Sequence, residues 1–190
     1  MILLISNFLF NILKGCKKIM LNKKELFTYE ISPLTMAILA IENEDGVVNT
    51  KIFEAESDYL IHKSPVKMID RACRYFGSSL RGRLDGTRDI CGITHKAPIS
   101  IDPASGMYFF PTTSPRNKNC SWIAHSHIDF IQSTHNQMTK LFFKNGKTIV
   151  LDISYGSMMN QIQRTAQFRY LLNDRIKHLD TYLSMNDNQK

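Results

Sequence analysis

The chain has 190 residues, of which 43% are hydrophobic and 22% are charged, and this balance excludes a largely disordered protein. A chain of this length is expected to fold as one domain around one core. Its formal net charge of +7 permits binding to a polyanion such as nucleic acid, although charge alone does not require it.

The N-terminal segment is apolar over residues 1–13 (MILLISNFLFNIL) and is followed by lysines. It is too short for a membrane span, which needs about 20 residues. Its charges also follow the apolar stretch, whereas those of a signal peptide precede it. We therefore expect translation to start at Met20, with residues 1–19 a mis-annotated leader, and we expect a cytoplasmic protein without membrane contact. Four widely spaced cysteines without a close pair indicate reduced thiols: Cys16, Cys73, Cys91 and Cys120.

Residues 25–61 have the composition of short strands, with a turn predicted at Asn43 to Gly46. Ser64 and Pro65 then predict the start of a helix, which Gly77 ends. Four apolar residues recur along it at helical spacing: Val66, Ile69, Cys73 and Phe76.

Residues 78–92 are rich in arginine and glycine, and we predict a loop or a broken helix there. A hairpin is expected over residues 98–111, with its turn at Pro103 to Gly106, followed by a strand over residues 121–132. Asn145-Gly146 predicts a second hairpin, between strands over residues 138–144 and 147–154.

From Tyr155 to about His178 the pattern is helical. Met158, Ile162, Ala166 and Ile176 are predicted on one face, with Arg164 and Arg175 opposite. The predicted fold class is α+β: a mainly antiparallel sheet with one short central helix and one long C-terminal helix. Residues 20–179 form the single domain, and residues 180–190 a short polar tail.

Charge is unevenly distributed along the sequence. Residues 31–59 hold one lysine against six acidic residues, whereas residues 60–120 hold ten lysines and arginines against four aspartates. Arginine is densest in residues 73–88, where it alternates with Tyr75, Phe76 and glycines. Arginines neutralise phosphates and release counterions, so this segment favours DNA as a partner.

An extended Arg-Gly-Arg tripeptide is thin enough to enter a narrow, A/T-rich minor groove. We therefore predict that Arg81 and Arg83 insert into the groove. Five further cations are predicted to contact phosphates: Arg71, Arg74, Arg88, Lys96 and Lys118.

Two alternatives for this basic segment remain open. The arginines could pair with Asp85 and Asp89 in a solvent-exposed loop. Residues 66–74 could instead be a recognition helix for the major groove, although no second helix at helix-turn-helix spacing is evident beside them.

A metal site and an enzyme are weaker interpretations of the sequence. A zinc site could use five residues: Cys91, His95, Cys120, His125 and His127. His125 and His127 would share one face of a strand, but close cysteine pairs are missing, so we predict no metal and no cofactor. No nucleophile motif or phosphate-binding glycine pattern occurs, and we predict that the protein is not an enzyme.

Two residues are predicted to lie either in the core or at a contact between subunits. Trp122, the single tryptophan, is expected in the core or at an oligomer contact. Arg169 falls within the apolar face of the last helix and would need an acceptor there, for example across a subunit interface.

Several segments resemble the ComK family of bacterial competence transcription factors. They are KMIDRACRYFGSSLRGRLDGT (67–87), THKAPISIDPASGMYFFPT (94–112), CSWIAHSHI (120–128), FFKNGKTIVLDISYGS (142–157) and residues 161–176. The resemblance runs from about Leu26 to His178. It implies activation of late competence genes for DNA uptake, with binding to paired A/T-rich boxes, chiefly through the minor groove. It also implies dimers that come together as tetramers, and no metal.

The C-terminal tail departs from this family. Family members continue beyond this point with a Phe-Met-Leu-Tyr-Pro-like element, which is read by an adaptor that delivers the protein to a Clp-type protease. The tail here, LDTYLSMNDNQK, lacks that element. We expect either different regulation or an interrupted copy, so the alternative to an activator is an inactive, truncated interaction protein.

Overall fold

The computed structural model describes residues 31–187. The predicted leader, the start at Met20 and the first part of the predicted N-terminal strand region lie outside the described residues.

A six-stranded antiparallel sheet forms the centre of the fold, with strand order β3-β2-β1-β6-β5-β4. Its strands are β1 (Thr35–Glu42), β2 (Val48–Glu54), β3 (Asp58–Ile61), β4 (Ile99–Asp102), β5 (Met107–Pro111) and β6 (Trp122–Ala124). The predicted turn between β1 and β2 is confirmed, because the amide of Gly46 donates to the Asn43 carbonyl at 3.0 Å. Gly46 takes a φ of +73°, which suits glycine. The predicted hairpin of β4 and β5 is also present.

A second antiparallel sheet contains β7 (Ile128–Ser133), β8 (Thr139–Phe143) and β9 (Thr148–Leu151). Asn145-Gly146 joins β8 to β9 as predicted, with Gly146 at a φ of +82°. The single strand predicted over residues 121–132 is wrong. A 3-10 turn at His125–His127 divides it into β6 and β7, which belong to different sheets.

Three helices occur in the described part of the chain: α1 (Pro65–Tyr75), α2 (Leu80–Cys91) and α3 (Tyr155–Asp187). The start of α1 at Pro65 confirms the predicted central helix. The loop or broken helix predicted over residues 78–92 is wrong, because α2 runs without a break from Leu80 to Cys91. Gly82 and Gly86 each lower helix propensity by about 1 kcal/mol, yet burial of Leu80 and Thr87 holds the helix against the body of the protein.

The hydrophobic core lies on both faces of the six-stranded sheet. One face packs under α1 and α2 through residues such as Ile52, Ile69 and Trp122. The other face packs against the second sheet and the start of α3 through residues such as Phe110, Phe143 and Met158. The full burial of Trp122 confirms its predicted place in the core. The predicted α+β class is confirmed.

The long C-terminal helix is confirmed, but it extends to Asp187 rather than ending near His178. Its buried face contains Met158, Gln161, Thr165 and Phe168. Ala166, predicted on that face, is exposed.

Polar anchors explain the difference in the buried face of α3. Gln161 donates through Nε2 to the carbonyls of Lys96 at 3.0 Å and Pro111 at 2.8 Å. Arg164, predicted on the face opposite the apolar residues, is half-buried, and its Nη2 donates to the His95 carbonyl at 2.6 Å. Within residues 31–187, no helix is long and apolar enough to cross a membrane.

Candidate nucleic-acid interface

The junction between α1 and α2, residues 76–79, is closed by backbone hydrogen bonds. The amide of Gly77 donates to the Arg74 carbonyl at 3.1 Å, and the amide of Ser78 donates to the Cys73 carbonyl at 2.9 Å. Gly77 takes a φ of +72°, the left-handed conformation that ends many helices. The chain therefore turns tightly from one helix into the next.

Asp70 connects the two helices through its carboxylate. Its Oδ1 accepts from the amide of Leu80, the first residue of α2, at 2.9 Å. Its Oδ2 accepts from Nε of Arg74 at 2.8 Å. The bond from the Leu80 amide, followed by the bond from Arg74, lowers the pKa of the Asp70 carboxyl below its ordinary value, although partial burial opposes the shift.

An open cleft of about 780 Å³ lies along α1 and α2. Four cationic side chains line it: Lys67 from α1, Arg81 and Arg88 from α2, and Arg116 from the loop between β5 and β6. They stand beside two carboxylates, Asp70 and Asp85. We call these four residues the cationic cleft.

Asp85 offsets only part of the positive charge in the cleft. One of its oxygens lies 3.2 Å from Nη1 of Arg88, and the other lies 3.8 Å from Nε of Arg81. Both arginines are more than half exposed, and exposed pairs of this kind contribute little. Their guanidinium groups remain accessible to a polyanion.

The extended Arg-Gly-Arg conformation predicted from the sequence is wrong, because the tripeptide lies in the first turn of α2. Residues two apart on a helix point in different directions, so Arg81 and Arg83 separate. The Arg81 side chain is 93% exposed. Arg83 is half-buried, and its Nη2 donates to the Phe76 carbonyl at 3.1 Å.

The other predicted phosphate contacts lie in different places. Arg71 and Arg74 are on α1 beside the cleft, with Arg74 exposed and Arg71 half-buried. Lys96 lies in the loop after α2, where its carbonyl accepts from Gln161. The structure does not bring Lys96 or Lys118 into the lining of the cleft.

Lys118 is paired at the turn between β1 and β2. Its Nζ lies 2.8 Å from Oε1 of Glu42. This hydrogen bond, the one from Asn119 and the charge of Lys118 lower the pKa of the Glu42 carboxyl. Lys118 therefore belongs to a separate surface cluster.

The structure adds two cations that the sequence interpretation left out of the site, Lys67 and Arg116. Lys67 was readable as an exposed position of the predicted α1. Arg116 was not, because it lies far from α2 in sequence and only the tertiary fold brings it to the cleft.

The structure also corrects the reasoning about a recognition helix. A second helix, α2, does follow α1 after residues 76–79, contrary to the expectation that none stood beside it.

The five residues of the alternative zinc site do not come together, and no group of three or more His, Cys, Asp or Glu that could hold a metal ion occurs within residues 31–187. The Cys91 thiol donates a hydrogen bond to the Thr87 carbonyl, and Cys120 is buried. Nε2 of His127 is hydrogen-bonded to the Pro33 carbonyl at 2.8 Å. Burial lowers the pKa of His125 and raises that of the Cys120 thiol. The zinc alternative is therefore not supported.

The subunit interpretation of Arg169 is not needed to explain its position. Its guanidinium carbon lies 5.4 Å from the centre of the Tyr108 ring, so a cation–π interaction within the chain stabilises its positive charge. Tyr108 is also bonded through its hydroxyl to Oδ1 of Asn173 at 2.7 Å.

The fold and the cleft define an α+β protein that presents a cationic surface on a pair of helices, which is the kind of surface that proteins offer to polyanions. Residues 26–177 match the family model of the ComK protein, and the chain therefore belongs to the ComK family. It is similar to the competence transcription factor of Bacillus subtilis (strain 168), with 41% identity over 153 residues, covering 80% of this chain and 79% of that protein. No solved structure matches the chain. Family and relative together support a role as a competence transcription factor and confirm the resemblance found in the sequence.

Proposed function

We propose that the protein activates competence genes by binding duplex DNA through the surface of α1 and α2. The observation that carries the proposal is the cationic cleft, where four accessible cations converge from three segments of the chain. Membership of the ComK family supplies the transcriptional role, and the cleft supplies the surface for DNA.

The charge of the helix pair suits a phosphate backbone. The four residues of the cationic cleft and Arg74 on its border could neutralise five phosphates. Each neutralised phosphate releases condensed counterions, so the logarithm of the binding constant should fall with the logarithm of salt concentration with a slope of about −4.5 per protein chain.

Preference for A/T-rich sequence is the finer part of the proposal. Narrow minor grooves at A-tracts concentrate negative potential and attract arginine. Arg81 extends from the first turn of α2 with almost no cover, so its guanidinium can enter a groove, where its charge still neutralises a flanking phosphate, while Arg88 and Arg116 hold phosphates outside the groove. This role no longer requires an extended tripeptide, and it falls to Arg81 alone, because Arg83 is held by the Phe76 carbonyl.

Paired A/T-rich boxes would be read by more than one copy of the chain. We therefore include in the proposal a homodimer or tetramer acting in the cytoplasm, as the family resemblance implies. Delivery to a Clp-type protease by an adaptor is a further expectation of that resemblance.

The experiment that tests the proposal compares three duplexes of equal length by fluorescence anisotropy at several salt concentrations. One carries A/T-rich boxes, one replaces the A·T pairs by inosine·cytosine, and one replaces them by G·C. Inosine lacks the guanine amino group, so inosine·cytosine has the minor groove of an A·T pair and the major groove of a G·C pair.

We expect the A·T and inosine·cytosine duplexes to bind alike and the G·C duplex to bind more weakly. If inosine·cytosine binds as weakly as G·C, the protein reads the major groove, and the minor-groove part of the proposal fails. If none of the duplexes binds at low salt, DNA is not the partner.

A further inference from the structure

Arg116 is the cation of the cleft that lies on a loop rather than on a helix. It is exposed in the loop between β5 and β6, residues 112–121, whereas Lys67, Arg81 and Arg88 stand on α1 and α2. A side chain on an unsupported loop loses conformational freedom when it meets a phosphate, and this loss weakens binding. The contribution of Arg116 therefore depends on the contacts that fix its loop.

The base and the turn of this loop are shaped by its own residues. The amide of Thr112 donates to the Ser121 carbonyl at 2.8 Å, and the amide of Ser121 donates to the Thr112 hydroxyl oxygen at 3.0 Å. Nearer the tip, the amide of Asn117 donates to the Ser114 carbonyl at 2.8 Å. These bonds set the form of the loop, but they do not connect its tip to another element of the fold.

The tip is connected to the turn between β1 and β2 through Glu42, the last residue of β1. Oε1 of Glu42 accepts from Nζ of Lys118 at 2.8 Å, and Oε2 accepts from Nδ2 of Asn119 at 3.0 Å. Nζ of Lys118 also lies 3.5 Å from the carbonyl oxygen of Gly46 in the same turn. Both carboxylate oxygens thus bind residues that closely follow Arg116 in the chain. We call Glu42, Lys118 and Asn119 the loop clamp.

We propose that Glu42 is a positioning residue for DNA binding: it holds the tip of the loop so that Arg116 stays at the cleft. Glu42 does not touch DNA and acts through Arg116, whose guanidinium is thereby preorganised for a phosphate. The inference rests on the proposed function, because it presupposes that the cleft binds phosphates. It adds an anionic residue of β1 to the determinants of DNA binding.

The sign of the effect distinguishes this role from simple electrostatics. Loss of a carboxylate makes the protein more positive, and on charge alone this should strengthen binding to a polyanion. Loss of the clamp should instead weaken binding, because Arg116 is no longer held at the cleft. An exposed ion pair contributes little to global stability, so truncation of Glu42 should release the loop without unfolding the protein.

The test uses the full chain and four variants: Glu42→Ala, Arg116→Ala, the double variant and, as a matched control, Glu44→Ala. Glu44 is exposed in the turn between β1 and β2, so its truncation removes the same charge and leaves the loop clamp intact. Binding to an A/T-rich duplex is measured by anisotropy at about 50 mM and about 200 mM salt. Trypsin cleavage after Arg116 is followed by mass spectrometry without DNA, because a released loop is cut faster than a held one.

We expect Glu42→Ala to bind more weakly than the wild type, and Glu44→Ala to bind as well or slightly better. Loss of one phosphate contact lowers the salt slope by about 0.9, so the ratio of wild-type to Glu42→Ala affinity should be about 3.5-fold greater at the lower salt concentration. In the Arg116→Ala background, Glu42→Ala should bring no further loss, because the clamp acts through Arg116. Trypsin should cut after Arg116 faster in Glu42→Ala than in the wild type, while the urea midpoints of the two proteins agree.

The outcomes separate this inference from the proposed function. If Glu42→Ala binds as tightly as the wild type or more tightly, or weakens binding equally in the Arg116→Ala background, the positioning role is refuted while DNA binding stands. Equal rates of cleavage after Arg116 in wild type and Glu42→Ala also refute it. A marked fall in the urea midpoint of Glu42→Ala refutes it too, because Glu42 would then support the whole fold. If the wild-type protein does not bind DNA, the proposed function fails and the positioning role fails with it.

Discussion

The two arginines of the Arg-Gly-Arg tripeptide should have separable roles, and alanine substitutions should show this. Arg81 is 93% exposed and lies 3.8 Å from Asp85, whereas Arg83 is half-buried and donates to the Phe76 carbonyl at 3.1 Å. Arg81 therefore faces the proposed DNA, whereas Arg83 connects α2 to the C-terminal end of α1. We therefore predict that Arg81→Ala impairs DNA binding and Arg83→Ala impairs stability.

The magnitudes follow from the contacts. Loss of an exposed ion pair should change the free energy of unfolding by less than about 0.5 kcal/mol, so Arg81→Ala should unfold like the wild type. Loss of an arginine from a groove or phosphate contact should weaken DNA binding by about 1–3 kcal/mol. Loss of the charge-assisted bond to the Phe76 carbonyl should cost about 1–2 kcal/mol of stability, near the low end for such bonds because Arg83 is half-buried.

Two assays on the wild-type protein, Arg81→Ala and Arg83→Ala separate an effect on stability from an effect on DNA binding. Urea unfolding can be followed through the fluorescence of Trp122, which is buried and is the single tryptophan. DNA binding is measured by anisotropy under conditions in which every variant is folded. Arg175→Ala, exposed on α3, serves as the control for loss of one positive charge.

The reasoning is refuted if Arg83→Ala unfolds at the wild-type urea concentration but binds DNA far more weakly than Arg81→Ala. That result would place Arg83 at the DNA and would support the role first predicted for it. Equal loss of affinity in Arg81→Ala and Arg175→Ala would show a general charge effect.

Further predictions concern the scaffold that presents the cleft. Asp70→Ala should lower the free energy of unfolding by about 0.5–2 kcal/mol, because the Leu80 amide loses its acceptor. The pKa of Asp70 is lower in the folded protein than in the unfolded chain, so this stabilisation is present above the unfolded pKa and is lost as the pH falls through the folded pKa. The urea midpoints of wild type and variant should therefore differ at neutral pH and converge in acid. Thr87→Val should cost about 1 kcal/mol or more in the same urea assay, because the buried Thr87 hydroxyl donates to the Pro98 carbonyl at 2.7 Å and valine would leave that carbonyl without its partner. Trp122→Ala should cost about 3–5 kcal/mol by thermal unfolding, since the ring is fully buried between α1, α2 and the sheet; a cost below 1 kcal/mol would contradict its place in the core.

Local turn and cap signals predicted much of the fold. Asn145-Gly146 and the Asn43 to Gly46 turn fix their hairpins because a few adjacent residues determine the backbone conformation. Pro65 marked the first residue of α1 for the same reason.

The sequence interpretation failed where tertiary contacts override local preference. Gly82 and Gly86 argued against a helix, but α2 is stabilised by tertiary contacts: the Asp70 carboxylate accepts from its first amide, and Thr87 is buried against the body of the protein. Gln161 is buried on α3 because its amide donates to the carbonyls of Lys96, in a loop, and Pro111, at the end of β5, and no hydrophobic periodicity reveals such partners.

The candidate site was partly readable for a related reason. The basic character of residues 73–88 is local and was visible in the sequence. Which arginines face outward depends on the conformation of α2, and the arrival of Arg116 depends on the packing of the loop between β5 and β6. The segment could therefore be predicted, but its geometry could not.

The salt dependence of DNA binding by a cleft variant tests the central claim most directly. The triple variant Arg81→Ala, Arg88→Ala and Arg116→Ala removes three cations of the cleft, and a control variant removes three cations elsewhere: Lys140, Lys144 and Arg175. If the cleft holds the phosphates, the triple variant should flatten the plot of log binding constant against log salt by about 2.7, while the control keeps the wild-type slope. A wild-type slope in the triple variant, or equal flattening in the control, would contradict a DNA interface at α1 and α2.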